Sequence, residues 1–164
     1  SEGPWCYEMQ VLGYNYRMTD IQAALGVSQL KKAEVFIRRR KEIVQSYNSH
    51  LGAFSDCLIL PYQHPDCESS WHLYVLRLRT EAFRVGRKEF AKALLAENIG
   101  VNVHYLPIYL HPYYQNLGYH RRLCPVAENV YEGFISLPLF YSMTDRDTQD
   151  VIEAVEKVVL AYKK

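Results

Sequence analysis

The chain has 164 residues, of which 49% are hydrophobic and 23% are charged, and its net charge is +1. This length and composition predict one folded domain that buries roughly 70% of its unfolded surface. The balanced charge argues against a dedicated nucleic-acid binder, and no apolar run approaches the roughly 20 residues that cross a bilayer. The start at Ser1, without a basic segment followed by an apolar one, predicts an excised or processed piece of a cytoplasmic protein.

The cysteine and histidine spacing predicts neither a disulfide framework nor a metal site. The four cysteines form no CxxC pair, so we expect buried free thiols in a reducing compartment. His64, Cys67 and His72 are the best metal-ligand combination, but their spacing fits no standard pattern. The cysteines are Cys6, Cys57, Cys67 and Cys124.

A long helix is predicted from Thr19 to Leu51, with Thr19 and Asp20 at its N-terminal cap. Apolar residues recur at helical spacing, which predicts a seam that faces a core or a partner. In the second half of the helix the seam consists of Leu30, Ala33, Ile37, Val44, Tyr47 and Leu51.

The loop before this helix carries Asn15 and Arg17 between Tyr14 and Tyr16. An amide and a guanidinium suit an anionic ligand, because both donate hydrogen bonds and arginine adds a planar charged fork. The same residues also fit an ordinary helix entry, in which the tyrosines pack and the polar groups bond backbone carbonyls. Local chemistry leaves both interpretations open.

The rest of the chain alternates short strand and helix patterns, which predicts an α+β domain with a small sheet covered by helices. Gly100 is predicted to cap the C-terminus of the helix at Arg87–Asn98, and Leu94 and Leu95 are assigned to the inner face of that helix. The predicted elements are a short strand at Cys57–Leu60, a strand at Trp71–Arg79, a helix at Arg87–Asn98, a strand at Val101–Pro107, a short helix opened by Pro125, an extended segment at Ser136–Phe140 and a last helix capped by Thr144.

A second candidate site lies at the end of the predicted strand Val101–Pro107. His104 and His111 bracket the tyrosine-rich segment HYLPIYLH, which Pro107 interrupts. Loops on a rigid scaffold often carry binding groups, so this segment is a plausible ligand edge. Alternatively, His104 is a core or edge histidine whose hydrogen bonds are satisfied, and the tyrosines pack.

No catalytic constellation is visible in the sequence. Ser136 has no GxSxG context, and no glycine-rich phosphate loop is present. The eight lysines lie on polar helix faces or at the C-terminus, where the neutral amine needed for imine chemistry is disfavoured. We therefore predict no catalytic residue in this chain.

Five blocks in chain order resemble the DegT/DnrJ/EryC1/StrS sugar aminotransferases. They are GYNYRMTDIQAALGVSQLKK, WHLYVLR, NIGVNVHYLPIYLHPYYQNLGY, CPVAENVYEGFISLPLF and TDRDTQDVIEAV. These family members are pyridoxal-phosphate enzymes of fold type I that aminate nucleotide-linked keto-sugars. The resemblance implies the small domain of such an enzyme, with a mainly antiparallel sheet, in residues 31–164. Residues 1–30 would form a segment that reaches an active site across a dimer.

The resemblance also implies roles for individual residues. Asn15 would contact the cofactor phosphate of the neighbouring subunit, and Arg17 would meet the phosphates or sugar of the substrate. His104, Tyr105 and His111 would form a substrate-side edge. A UDP-sugar or another nucleotide-linked keto-sugar and glutamate would be the substrates, and the enzyme would be a homodimer.

The chain departs from the family in one large respect. The lysine that binds pyridoxal phosphate covalently and the aspartate that pairs with its ring nitrogen lie upstream in the family, in a domain that is absent here. The resemblance thus implies the C-terminal portion of an aminotransferase, inactive by itself. The alternative is a non-catalytic module that binds a sugar nucleotide or a partner and retains the small-domain fold.

Overall fold

The computed structural model describes residues 3–5 and 7–164, and the chain divides into two units, Ser1–Ala33 and Glu34–Lys164. Cys6, which the sequence predicts to be a free thiol, lies outside the described residues. The other three cysteines are free: Cys57 is buried, and Cys67 and Cys124 are exposed. Among the three described cysteines, the expectation of buried thiols is therefore confirmed only for Cys57.

The first unit contains the helix α1, Asp20–Leu30, which begins at the predicted cap. The Thr19 hydroxyl accepts from the Gln22 backbone N–H at 3.3 Å, and the Gln22 side chain accepts from the Thr19 N–H at 2.9 Å. This reciprocal capping box satisfies two donors that helical hydrogen bonds leave free.

The predicted continuous helix from Thr19 to Leu51 is wrong, because α1 ends at Leu30 and the next helix starts at Ala33. The Lys32 N–H bonds the carbonyl of Gln29, three residues back, at 2.9 Å. Such a bond tightens the last turn and ends the α-helical ladder.

None of the residues of α1 is buried. Its apolar side chains are not confined to one stripe, and their exposed fractions are 83% for Ile21, 60% for Leu25, 56% for Val27 and 76% for Leu30. Helices that are apolar on all sides are usually buried in a larger assembly. The surface of α1 thus has the character of an interface.

The second unit is built on a three-stranded antiparallel sheet of β1 (Leu58–Ile59), β2 (Tyr74–Leu78) and β3 (Phe134–Leu137), in that order. β1 and β2 lie within the predicted strands, whereas β3 starts two residues before the predicted extended segment Ser136–Phe140 and overlaps only its first two residues. Along β2 every second side chain is buried, as expected for a strand with one face on the core. The α+β class with a small antiparallel sheet is therefore confirmed.

Three helices supply most of the core against this sheet: α2 (Ala33–Leu51), α3 (Arg87–Ala96) and α6 (Asp145–Tyr162). Two shorter helices, α4 (Pro112–Asn116) and α5 (Pro125–Gly133), precede β3. The predicted opening of α5 by Pro125, its first helical residue, and the predicted cap of α6 by Thr144 are confirmed. In the part of the chain that is described, no helix has the length and apolar character needed to cross a membrane.

The centre of the core joins α2 to β2 through two tyrosines. The rings of Tyr47 and Tyr74 meet edge to face at 4.9 Å between centroids, and both side chains are fully buried. Their hydroxyls donate to the Pro138 carbonyl and to Asn48 Oδ1, each at 2.8 Å. Burial raises the pKa of both phenols, so they remain neutral donors.

Two local predictions around the end of α3 are wrong. Asn98, not Gly100, takes the left-handed conformation after the helix, with φ of 63°, and the Ile99 N–H bonds the Leu94 carbonyl at 2.9 Å. Asparagine is the residue after glycine that best tolerates this conformation. Leu95 points outward and is 56% exposed, whereas Leu94 is fully buried.

The predicted strand Val101–Pro107 is also wrong. Only Asn102 pairs with the sheet, through an isolated bridge to Ser136. The Asn102 side chain accepts from the next backbone N–H, that of Val103, at 2.7 Å. This local bond competes with strand pairing and stops the ladder after one residue.

We predict that Gly133→Ala destabilises the second unit by about 1–3 kcal/mol, the usual cost of overpacking. A Cβ at Gly133 would lie 2.6 Å from the Leu78 carbonyl oxygen and 3.2 Å from Cγ of Arg77. The control is Gly52→Ala, because a Cβ there meets no heavy atom within 4 Å. Urea denaturation measures both variants. Equal stability of the two would contradict the close approach of α5 and β2.

Candidate functional site

The first group of candidate residues lies in the loop before α1. Asn15 Oδ1 accepts from the Arg17 backbone N–H at 3.2 Å, a local turn that asparagine commonly forms. The Tyr14 and Tyr16 rings lie 5.9 Å apart, and all four side chains are exposed. Within the described residues, neither the Asn15 amide NH₂ nor the Arg17 guanidinium donates to a protein acceptor. Both donors are therefore available to an anion.

The second group is centred on His104. The His104 Nδ1 and the Ser136 hydroxyl are 2.9 Å apart, and the Tyr105 ring meets the imidazole edge to face at 4.8 Å. Ser136 is only 4% exposed, whereas Tyr105 is 73% exposed. The histidine is thus hydrogen-bonded to the sheet and flanked by an accessible aromatic ring.

His111 makes no contact with His104 or Tyr105 through its hydrogen bonds. The His111 backbone N–H donates to the Ile108 carbonyl. The His111 carbonyl accepts from the Gln115 backbone N–H of α4. Its side chain is exposed, and among the described residues no hydrogen bond or aromatic pair joins it to His104 or Tyr105. The structure brings together His104 and Tyr105 and leaves His111 as a separate, accessible imidazole.

A polar network holds the loop between His111 and α5. One carboxylate oxygen of Glu128 accepts from the Tyr109 hydroxyl at 2.9 Å and from the Arg122 backbone N–H at 2.6 Å. Desolvation together with the Glu128 hydrogen bond and charge raises the pKa of Tyr109 to about 12. The phenol therefore stays protonated and ties the segment after His104 to α5.

The lysines remain in charged, hydrated settings. None of the eight is buried, and ion pairs join Lys41 to Glu68, Lys157 to Glu97 and Lys163 to Asp56. The hydrogen bond to Asp56 raises the pKa of Lys163, which further favours the ammonium form.

A groove of about 550 Å³ lies between the end of α3 and the first turns of α6. It includes none of the predicted site residues, and its charged lining is mainly acidic. The residues that carry this charge are Glu97, Asp147, Asp150, Glu153 and Lys157. Such a lining repels a phosphate. In the described residues no group of three or more His, Cys, Asp and Glu side chains is arranged to hold a metal ion.

Sequence reasoning missed two residues that organise the site, Ser136 and Glu128. The motif search tests Ser136 only as a nucleophile, which its sequence context excludes. The signal that identifies it is its position as the one hydroxyl in the apolar run FISLPLF, because a buried polar group requires a partner. Glu128 carries no comparable signal, since an acidic residue in the first turn of a helix is ordinary.

Comparison with known proteins gives a consistent result. The model of the DegT/DnrJ/EryC1/StrS aminotransferase family matches residues 3–156. The spore coat polysaccharide biosynthesis protein SpsC of Bacillus subtilis is 45% identical over 161 residues, which are 97% of this chain and 41% of SpsC. A UDP-4-amino-4,6-dideoxy-N-acetyl-beta-L-altrosamine transaminase of Campylobacter jejuni is 35% identical over 98% of this chain and 42% of its own length.

Among solved structures, Spr1654 of Streptococcus pneumoniae, assigned as a sugar aminotransferase, is similar in its PLP form with a TM-score of 0.81 and 32% identity. The match covers 96% of this chain and 40% of Spr1654. The chain therefore spans about two fifths of the length of these proteins.

Proposed function

Because this chain belongs to the DegT/DnrJ/EryC1/StrS aminotransferase family, we propose that it is the C-terminal portion of a pyridoxal-phosphate-dependent nucleotide-sugar aminotransferase. The complete enzyme transfers an amino group from glutamate to a 4-keto sugar nucleotide. The observation that carries the proposal is the family match across nearly the whole chain, combined with coverage of only 41% of relatives such as SpsC. The name of the Campylobacter jejuni relative supports a UDP-linked amino sugar.

The chain supplies binding groups for the cofactor phosphate and not the lysine that would hold the cofactor covalently. Asn15 fits the phosphate because its Oδ1 is engaged by the Arg17 N–H, which leaves the amide NH₂ to donate outward. When bound, pyridoxal phosphate supplies the electron sink and carries the amino group between the two substrates. None of the eight lysines is buried and three of them form ion pairs, which supports the assignment of the covalent attachment to the large domain that we place upstream.

The remaining candidate residues bind the sugar nucleotide in this proposal. The Arg17 guanidinium presents a planar fork that matches a diphosphate. The exposed Tyr105 ring offers apolar surface for a sugar or a base, His104 supplies an imidazole beside it, and His111 supplies a second, separate imidazole.

Assembly completes the site. The exposed apolar surface of α1 supports burial against the large domain and a second subunit, so we assign a homodimer in which Asn15 and Arg17 serve the partner's site. The three described cysteines are free, which accords with the reducing environment of the cytoplasm.

The first test of this assembly is association of the isolated chain. We expect a dimer or larger species by light scattering, because large exposed apolar patches promote association. Leu25→Glu places a charge on the apolar surface of α1 and should shift the chain toward monomer. Gln29→Glu adds the same charge at an exposed polar position of the same helix and should not. A monomeric wild-type chain at high concentration would contradict the prediction.

The second test concerns Asn15 and uses a chimera, in which the part of Spr1654 preceding the matched segment is joined to this chain. We expect the chimera to bind pyridoxal phosphate, as measured by absorbance during dialysis. Asn15→Ala should weaken binding roughly ten- to hundredfold, because it removes one hydrogen bond to a charged group worth about 1.5–3 kcal/mol.

The control for that experiment is Gln10→Ala, which removes an exposed amide from the same segment. The Gln10 side chain bonds Glu8, two residues away, at 3.3 Å. If both variants bind the cofactor equally well, Asn15 has no role at the phosphate.

The third test concerns the lysines. The chain is incubated with pyridoxal phosphate, reduced with borohydride and mapped by mass spectrometry. We expect only partial pyridoxyl adducts spread over exposed lysines, since none has a desolvated amine. A stoichiometric adduct on one lysine of this chain would show that the catalytic lysine is here and would overturn the proposal.

A further inference from the structure

Ser136 occupies an unusual place in the sheet. It lies in the middle of β3, where all four residues are buried, and it is opposite Val75 of β2. Its neighbours Ile135 and Leu137 pair with Leu76 and Tyr74. Because side chains alternate along a strand, the Ser136 hydroxyl lies on the face opposite those core residues.

Three hydrogen bonds connect Ser136 to the segment that carries His104. The Ser136 N–H donates to the Asn102 carbonyl at 2.8 Å, and the Asn102 N–H donates to the Ser136 carbonyl at 3.3 Å. The third joins the Ser136 hydroxyl to His104 Nδ1 at 2.9 Å. The two backbone hydrogen bonds set the distance between β3 and the segment that carries His104. The bond from the hydroxyl sets the orientation of the imidazole.

The proton in the third bond can be assigned from the partners that are available. Among the described residues, His104 Nδ1 is the only hydrogen-bond partner of the Ser136 hydroxyl. If Nδ1 carried the proton, the serine would have to accept, and its own buried O–H would lack an acceptor. A buried donor without a partner costs about 1–3 kcal/mol. The serine therefore donates, and Nδ1 of the neutral imidazole accepts.

The other ring nitrogen then carries the hydrogen. Nε2 has no protein partner within the described residues, and no buried side-chain nitrogen or oxygen there lacks a hydrogen bond. Because Nε2 lacks a partner, it is not among the buried atoms, so this nitrogen of the half-buried His104 reaches the surface. The exposed ring of Tyr105 lies beside the imidazole.

We propose that Ser136 is a positioning residue that holds neutral His104 in the Nε2–H tautomer and presents this N–H as a hydrogen-bond donor at the protein surface. A donor in this place suits an oxygen-rich ligand, either a phosphate oxygen or a sugar hydroxyl. That use rests on the proposed function, whereas the tautomer is a property of the chain alone.

The test is long-range ¹H–¹⁵N correlation spectroscopy of the ¹⁵N-histidine-labelled chain at pH 8.5, with His104→Gln to assign its signals. The two ring nitrogens of a neutral histidine have distinct shifts according to which one bears hydrogen. We expect wild-type His104 to be predominantly the Nε2–H tautomer. Ser136→Ala should shift His104 toward a mixture of both tautomers, and Ser136→Thr, which keeps the hydroxyl, should restore the wild-type shifts.

A matched control separates this effect from general loosening. Thr148 is as buried as Ser136, at 4% exposure, and its hydroxyl donates to the Thr144 carbonyl at 3.0 Å. Thr148→Ala should leave the His104 shifts unchanged. A predominant Nδ1–H form in the wild type, or the same tautomer ratio in wild type and Ser136→Ala, would overturn the positioning role. Neither result depends on cofactor binding by the chimera, so the two proposals fail separately.

Discussion

The pairing of Asn102 with Ser136 is the interaction on which the geometry of the second candidate group depends. It anchors an otherwise irregular segment to the central part of β3, where the backbone is buried and held by β2. The position of the segment from His104 to the start of α4 depends on this pairing. The Tyr109–Glu128 hydrogen bond attaches the same segment to α5 a few residues later. The accessible imidazole and aromatic ring are therefore mounted on rigid elements, which is how binding groups on loops keep their geometry.

The elements that sequence reasoning predicted well are those with a strong local pattern. Thr19 and Thr144 cap their helices because the capping chemistry is contained within four residues. The strand at Tyr74–Leu78 is evident because its segment is rich in aromatic and branched residues. Two of the errors lie where a side chain competes with the backbone, as at Asn102, and where asparagine replaces glycine after a helix, as at Asn98. Sequence periodicity does not register either effect.

The candidate site was only partly predictable for a different reason. Asn15, Arg17 and His104 stand out by residue type and by resemblance to a family, and their roles remain proposals. Ser136 is important through a contact 32 positions away along the chain, which no local pattern encodes. The apolar side chains of α1 are visible in the sequence, but their exposure is visible only in the structure. Both features become interpretable only when the three-dimensional arrangement is known.

The central claim is that this chain is one part of an aminotransferase whose cofactor-binding lysine lies upstream. The most direct measurement is the sequence of the coding DNA that precedes the codon for Ser1. The account predicts that the reading frame continues upstream into a large domain containing that lysine and an aspartate for the ring nitrogen. A start codon immediately before Ser1, with no cofactor-binding domain encoded beside it, would contradict the account.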